Sequence, residues 1–394
     1  MTKKIYLDYA ATTPVSKEVL KAMTPYFSEK FGNAGSLHAW GQEASRALDA
    51  TRESLARELG ADFREIIFTG SATEANNLAL RGAVKRFRSE KPEIKPKLIV
   101  SVIEHESVLA TAADLRETEA AEIRYLPVNR EGFIDLSELK DNLDKRTVLV
   151  SLGYANNEIG VINPIREAAK IIKEFRGSNT YPLIHTDAVQ AFQFLPCRPK
   201  ELGVDLMTLS AHKVYGPKGV GLLYLKTPGK GESESISPIL SGGGQEFGWR
   251  SGTENVASLV GFAKAAELIS AKRLKESKRL GGLRNDFWRR LKKAIPEAEL
   301  NGPAIDSPLR LANNLNIFFR NHSAQELLVK LDLKGLAPSS GSACRSRSPE
   351  PSYVIEALGL EKGRAKSSLR ISLGRPTTAS EIKAAVRILA GMMA

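Results

Sequence analysis

Two cysteines in 394 residues exclude a disulfide framework and any cysteine-rich metal site. No apolar run is long enough to cross a bilayer. The opening stretch, Met1 to Asp8, lacks the apolar core of a signal peptide and carries an early acid, so the chain reads as cytoplasmic. Internal repeats and long low-complexity linkers are missing too. Only residues 227–237, rich in Gly, Ser and Lys, read as a flexible surface loop. What is present is an ordinary globular composition, 42% hydrophobic and 26% charged, long enough for two or three domains. The net charge is +12, but the basic residues are scattered. Their densest stretch runs from Lys272 to Lys293 and includes Arg284. Leu274, Leu280, Leu283, Phe287, Trp288 and Leu291 are interleaved there at the spacing of a surface helix with a solvated basic face. That pattern favours a solvated face over nucleic-acid binding, and an acidic protein partner or an anionic substrate suits it equally.

Between about residues 65 and 225, short β-type apolar runs alternate with helical patterns. The strand candidates are 65–69, 98–102, 123–126, 147–152, 182–186, 205–209 and 221–225. Helices are expected over 72–88 and 164–175, the latter with Pro164 in its first position. This alternation predicts an α/β fold with a mainly parallel seven-stranded sheet between helices. Near the start, Thr13-Pro14 reads as a helix cap before Val15, Val19, Met23 and Phe27, and a second helix over 37–59 should stop at Gly60. After long helical patterns beyond residue 255, a smaller α+β segment is expected. Its strands are 314–319 and 369–373, its helices 324–331, 352–358 and 379–392, and its loop about 338–351. The expected division is a large domain over 14–258 and a small one from 1–13 and 259–394.

Polar clusters follow five of the strand candidates, where open α/β sheets bind ligands. Gly70-Ser71-Ala72-Thr73 opens a helix and suits a phosphate, although a simple helix cap explains it alone. His105, between two glutamates, reads as a satisfied core histidine or as a ring that stacks on an aromatic cofactor and moves protons. Asn156-Asn157-Glu158 follows another strand. Asp187 and Gln190 follow the fifth, with Asp187 in an apolar setting that demands a cationic partner. Ser210-Ala211-His212-Lys213 follows the sixth. A lysine amine and a carboxylate so placed are what pyridoxal phosphate needs: one to hold its aldehyde, one to keep its ring nitrogen protonated. Spacing alone does not separate Lys213 from Lys218, but Lys213 sits nearer the strand end. Arg370, between apolar residues on a strand, needs an anion, either a substrate carboxylate or a core acid. Cys344, in a Ser-, Gly- and Pro-rich stretch beside Arg345 and Arg347, reads as an exposed, activated thiol, whereas Cys197 reads as incidental.

These segments together resemble the cysteine desulfurases of the NifS/IscS type, a branch of the fold-type I pyridoxal phosphate enzymes. The resemblance also runs through Leu7 to Pro14, Gly32 to His38, Gly242 to Glu246, Arg250 to Thr253 and Ser372 to Thr378. It implies that Lys213 anchors the cofactor and that Asp187 pairs with its ring nitrogen. Gln190 would bond its ring oxygen and His105 would stack on it. Ala72, Thr73, Ser210 and His212 would hold its phosphate, with Thr253 reaching the phosphate of a neighbouring subunit. A homodimer is therefore implied. Asn157 would touch cofactor and substrate, and together with Arg370 and Asn33 it would bind the carboxylate of L-cysteine. Cys344 would take the sulfur as a persulfide, release alanine and pass the sulfur to an acceptor or iron–sulfur scaffold protein. A metal is not implied. Competing readings are selenocysteine lyase, another lyase or aminotransferase of the same class, and a catalytically idle dimer that docks sulfur carriers.

Overall fold

Alternation within the strands decides the architecture. In the run Ile66–Thr69, Ile66 and Phe68 join one apolar layer and Ile67 the other; in Lys97–Ser101, Ile99 joins the first and Leu98 and Val100 the second. A strand apolar on both sides must be covered on both faces. The computed structural model, which describes residues 4–227, 234–341 and 351–393, builds that arrangement. Its strands are β1 (Ile5–Tyr6), β2 (Ile66–Thr69), β3 (Lys97–Ser101), β4 (Glu122–Leu126), β5 (Thr147–Ser151) and β6 (Leu183–Asp187). They continue as β7 (Leu206–Ser210), β8 (Gly221–Leu225), β9 (Glu299–Leu300), β10 (Asn314–Phe318), β11 (Leu336–Ala337) and β12 (Ser368–Ser372). Seven of them form one sheet in the order β2-β8-β7-β6-β5-β3-β4. Only β8 runs antiparallel to its neighbours.

Helices Ala72–Glu90 and Glu106–Glu117 cover one face of this sheet. Helices Ala39–Leu59 and Ile165–Arg176 and the first half of Val256–Ala294 cover the other. Gly60, at φ 62°, ends helix Ala39–Leu59 in the left-handed conformation that glycine adopts without strain. A second sheet, β12-β10-β9, is antiparallel. β1 pairs with β11, and a bridge from Asp8 to Ser372 ties the N-terminal segment to β12. The 39-residue helix Val256–Ala294 crosses residue 258, where the two domains were expected to divide, and packs against both Ala39–Leu59 and Ala379–Met393.

Three sequence expectations are corrected. Pro164 is the N-cap of helix Ile165–Arg176, not its first residue. The first helix begins at Lys17 and is capped by Ser16, because the Thr13 hydroxyl is spent on the His212 carbonyl at 2.8 Å. On helix Val256–Ala294, Leu274 is 85% exposed and Arg284 is buried, donating to the carbonyls of Leu311 and Ile305 at 2.8 Å. Arginine there fills a core position because backbone acceptors meet its guanidinium.

One turn links the two sheets. Asn156 Oδ1 accepts from the N–H groups of Glu158 and Ile159 at 2.8 and 3.0 Å, and its Nδ2 donates to Ile103 O at 2.9 Å. Arg310, buried, donates to Asn301 O at 2.6 Å, to Ile159 O at 3.2 Å and to the Pro303 carbonyl. Gly160 closes the turn at φ 73°, where an added Cβ would lie 2.7 Å from Asn314 Oδ1. Gly160→Ala therefore combines backbone strain with a clash, whereas Gly359→Ala, at φ 62° with open space around it, meets strain alone. The expected cost in urea unfolding is about 1 kcal/mol for Gly359→Ala and about 3 kcal/mol or more for Gly160→Ala. Equal losses would show that the close approach is not structurally required.

Candidate active site

The carboxyl ends of β3, β5, β6 and β7 converge on a cavity of about 370 Å³. Its lining brings together Ala72, Thr73, His105, Asn157, Asp187, Gln190, Ser210, His212, Lys213 and Arg370. Asp187 and Ser210 are the last residues of β6 and β7, so strand geometry itself aims them. Two expected residues lie elsewhere. Asn33 is exposed, with its Oδ1 accepting from Gly35 N at 2.9 Å, and is not part of this lining. Thr253 lines a smaller neighbouring cavity with Gly70 and Arg250. Cys344 lies outside the described residues, as do residues 228–233 of the expected surface loop.

One end of the cavity is the start of helix Ala72–Glu90. Ser71 caps it, accepting from Glu74 N at 3.1 Å. Strand β8 approaches so closely that a Cβ on Gly221 would lie 2.5 Å from the Ser71 carbonyl carbon, so only glycine leaves room there. Burial and the neighbouring cations Lys213 and Lys218 push the His212 imidazole down to about 4, which keeps it neutral. Its Nδ1 meets Thr12 Oγ1 at 3.1 Å.

Lys213 occupies the turn after β7, and its Nζ donates to the carbonyls of Ala10 and Ala11 at 2.8 and 2.6 Å. Gln190 Nε2 donates to the same Ala10 carbonyl at 2.9 Å. Lys218 also lines the cavity but is exposed, while Lys213 is half-buried. Asp187 accepts from Asn76 Nδ2 at 2.9 Å and from Val189 N at 3.0 Å; among the described residues it makes no ion pair. His105 caps helix Glu106–Glu117, its Nδ1 meeting the hydroxyl and N–H of Ser107 at 2.9 and 3.1 Å. Arg370, 1% exposed, pairs with Asp8 at 2.6 Å and donates to Asn157 O at 3.3 Å. Its Nε is buried with no hydrogen-bond partner among the described residues. Both readings of this arginine thus find an observation: a core acid holds one edge, and an unanswered donor remains.

Sequence reasoning missed Asn76, Asp8 and Ser107, and gave Glu104 only as a possible partner for the His105 ring. The spacing of Ser107 two residues past His105, a capping distance, was the one signal available. Glu104 is buried, accepting from the Gly153 N–H, while its Oε2 has no hydrogen-bond partner among the described residues. Burial, reinforced by the Asp187 charge, pushes its carboxyl up to about 8.

These groups fit pyridoxal phosphate. A helix N-terminus with small residues and a neutral histidine suits the phosphate. An amine is available for the aldehyde, and an acid without a cation suits the ring nitrogen. Arg370 Nε leaves a donor for a carboxylate beyond.

Comparisons with known proteins agree with this arrangement. The aminotransferase class-V family model matches residues 5–385. A cysteine desulfurase IscS of Dictyoglomus turgidum is 45% identical over 99% of this chain and 94% of its own length. A solved NifS-like protein superposes with a TM-score of 0.89 at 33% identity, covering 99% of both chains. A structure described as SspA in complex with cysteine is 33% identical, with a TM-score of 0.77 over 94% of this chain and 99% of its own.

The raised Glu104 carboxyl has a stability consequence. The unfolded chain ionises it near its ordinary value of 4.5, but the folded chain does so only near 8. Stability relative to a permanently neutral group is therefore full below 4.5 and is lost as pH rises through that window. Glu104→Gln reproduces the protonated acid. In cofactor-free protein, its stability relative to the parent should increase by about 1–3 kcal/mol between pH 5 and pH 8.5, read by urea unfolding. A difference independent of pH would show that Glu104 is ionised throughout.

Proposed function

We propose that this chain, which belongs to the aminotransferase class-V family, is a cysteine desulfurase that converts L-cysteine to L-alanine and carries the released sulfur on Cys344. The observation that carries this reading is one cavity lined by Lys213, Asp187, the start of helix Ala72–Glu90 and Arg370, whose Nε has no hydrogen-bond partner among the described residues.

Pyridoxal phosphate, when bound, supplies an aldehyde that condenses with amines and a cationic ring that withdraws electrons from the amino acid's α-carbon. Lys213 Nζ would anchor it and, as a free amine, would take the α-proton. Asp187 keeps the ring nitrogen protonated. Ala72, Thr73, Ser210 and His212 hold the phosphate, Gln190 holds the ring oxygen, and His105 covers the ring face. Arg370 and Asn157 would orient the substrate carboxylate. The Cys344 thiolate attacks that sulfur; the C–S bond breaks, an S–S bond forms, and the substrate carbon, reprotonated, leaves as alanine. The described residues flanking the Cys344 segment support this role. Ser339 pairs with Arg370 through the backbone, and beyond the segment Ser352 donates to Glu158 at 2.6 Å and Tyr353 to Glu104 O at 2.6 Å.

A homodimer completes the site in this reading. Asn33 and Thr253 lie outside the cavity of their own chain, and the stretch from Phe27 to Trp40 exposes Phe27, Phe31, Leu37 and Trp40. Such a surface suits a second copy, which would bring these residues to the neighbouring site. The persulfide sulfur then goes to an acceptor or iron–sulfur scaffold protein in the cytoplasm. Among the described residues no helix is long and apolar enough to cross a membrane.

Protein loaded with pyridoxal phosphate and given L-cysteine and a reductant should release alanine and sulfide in equal amounts. Cys344→Ser should abolish both while leaving the cofactor absorbance intact; a variant of full activity would refute the thiol's role. Arg370→Lys keeps the charge but loses the fork. It should raise KM for L-cysteine about 10- to 100-fold with unchanged cofactor absorbance, because a bidentate pair is worth roughly 2 kcal/mol.

A further inference from the structure

We infer that Glu158 is a positioning residue for the sulfur-transfer step: its carboxyl group fastens the chain on both sides of the Cys344 segment to one point beside Arg370. The inference rests on the functional reading above for the identity of the reaction. The fastening itself is carried by Gly341 and Ser352, described residues on either side of residues 342–350.

Glu158 is buried, 1% exposed, on the turn that links the two sheets. Its backbone is held from three directions. Its N–H donates to Asn156 Oδ1 at 2.8 Å, and its carbonyl accepts from Asn314 Nδ2 at 3.1 Å and from Asn316 Nδ2 at 3.2 Å. A carboxyl group in so enclosed a place is costly unless donors meet it.

One donor is the Ser352 hydroxyl, 2.6 Å from Glu158 Oε2. Ser352 also caps helix Tyr353–Ala357, its Oγ accepting from Ile355 N at 3.2 Å. The hydroxyl therefore gives its hydrogen to Glu158 and a lone pair to the helix. The chain before the segment comes to the same oxygen. At Gly341, φ 144°, an added Cβ would lie 3.1 Å from Glu158 Oε2 and 3.7 Å from Ser352 Cβ. Departure and return thus meet over one carboxyl oxygen.

That point is tied to the substrate-binding arginine. The Ser339 hydroxyl donates to Gly341 O at 3.1 Å, and Ser339 exchanges backbone hydrogen bonds with Arg370 at 3.0 and 2.6 Å. Arg370 donates in turn to the carbonyl of Asn157, the neighbour of Glu158, at 3.3 Å. Releasing a few residues at the ends of a loop changes its entropy little. Direction matters more: misplacing a reacting group by about 1 Å can cost about 100-fold in rate. Glu158 is not part of the cavity lining, so its carboxyl group serves the thiol's approach and not cofactor or substrate binding.

Full-length protein loaded with pyridoxal phosphate and mixed with L-cysteine, without reductant, separates these steps. The change in cofactor absorbance reports substrate engagement, and mass spectrometry after alkylation reports persulfide on Cys344. In Glu158→Ala the first rate and KM for L-cysteine should stay within about twofold of the parent, while persulfide formation slows about 10-fold or more. Equal slowing of both rates would overturn the inference, because a merely structural role moves both.

Two variants at Ser352 keep the test open should Glu158→Ala fail to fold. An ionised aspartate caps a helix as serine does but has no hydrogen to give, whereas threonine keeps both capacities. Ser352→Asp should slow persulfide formation like Glu158→Ala, and Ser352→Thr should retain the parent rate. Parent-like transfer in Ser352→Asp would overturn the inference. In cofactor-free protein, amide hydrogens of helix Tyr353–Ala357 should exchange about 5-fold faster in Ser352→Asp than in Ser352→Thr, the effect of one lost hydrogen bond. Equal exchange would refute the fastening. This last measurement needs neither cofactor nor turnover, so a failed fastening and a failed desulfurase assay are distinguishable.

Discussion

The charge of Asp187 is the constraint on which the site depends. A carboxylate at the end of a buried strand is costly unless something answers it. Among the described residues the answers are neutral: one side-chain amide and one backbone N–H. That arrangement orients the acid without cancelling its charge. A neighbouring acid must then yield, and Glu104, held near Asp187 with one oxygen unanswered, stays protonated to about 8. A cationic heterocycle is the guest that such a site favours. The same carboxylate accepts from Asn76, whose amide also donates to the Ser107 hydroxyl beside His105.

The rest of the cavity is assembled from distant parts of the chain. The sheet supplies Asp187, Ser210 and Lys213 from adjacent strand ends, an arrangement that parallel β-structure produces without special devices. The group proposed to bind the substrate carboxylate comes from another sheet. Arg370 lies on β12, and Asp8 and the Asn157 carbonyl hold it. Asp8 in turn bridges to Ser372. The turn that carries Asn157 is fastened by buried arginine donors and by a glycine that lets Asn314 approach. Small displacements between the two sheets would therefore move Arg370 relative to Asp187 and Lys213.

Much of this was legible in the sequence because the signals were local. Each strand of the large sheet was readable from a short apolar run, and Gly60 from the end of a helical period. Lys213 and Asp187 were readable because polar residues directly follow such runs. The failures have physical causes. Thr13 carries a cap signature, but the His212 carbonyl, two hundred residues away, claims its hydroxyl. Arg284 fits a basic stripe by spacing, yet backbone carbonyls draw it inward. Asn76 gave no signal because its role depends on Asp187 and Ser107, which only the packed sheet brings to it.

The N-terminal segment shows why a short, irregular stretch can matter as much as a strand. Ala10 and Ala11 contribute no side-chain chemistry, but their carbonyls take two hydrogens from Lys213 Nζ. An ammonium has three hydrogens and a neutral amine two, so the same pair of acceptors orients the nitrogen in either state. The remaining position carries a proton when the lysine is charged and a lone pair when it is neutral, and the direction does not change between them. The proposed role of Lys213, a base that takes a proton and later returns it, would benefit from that constancy. Gln190 shares the Ala10 carbonyl and Thr13 binds the His212 carbonyl, so this stretch holds three residues of the site, Gln190, His212 and Lys213.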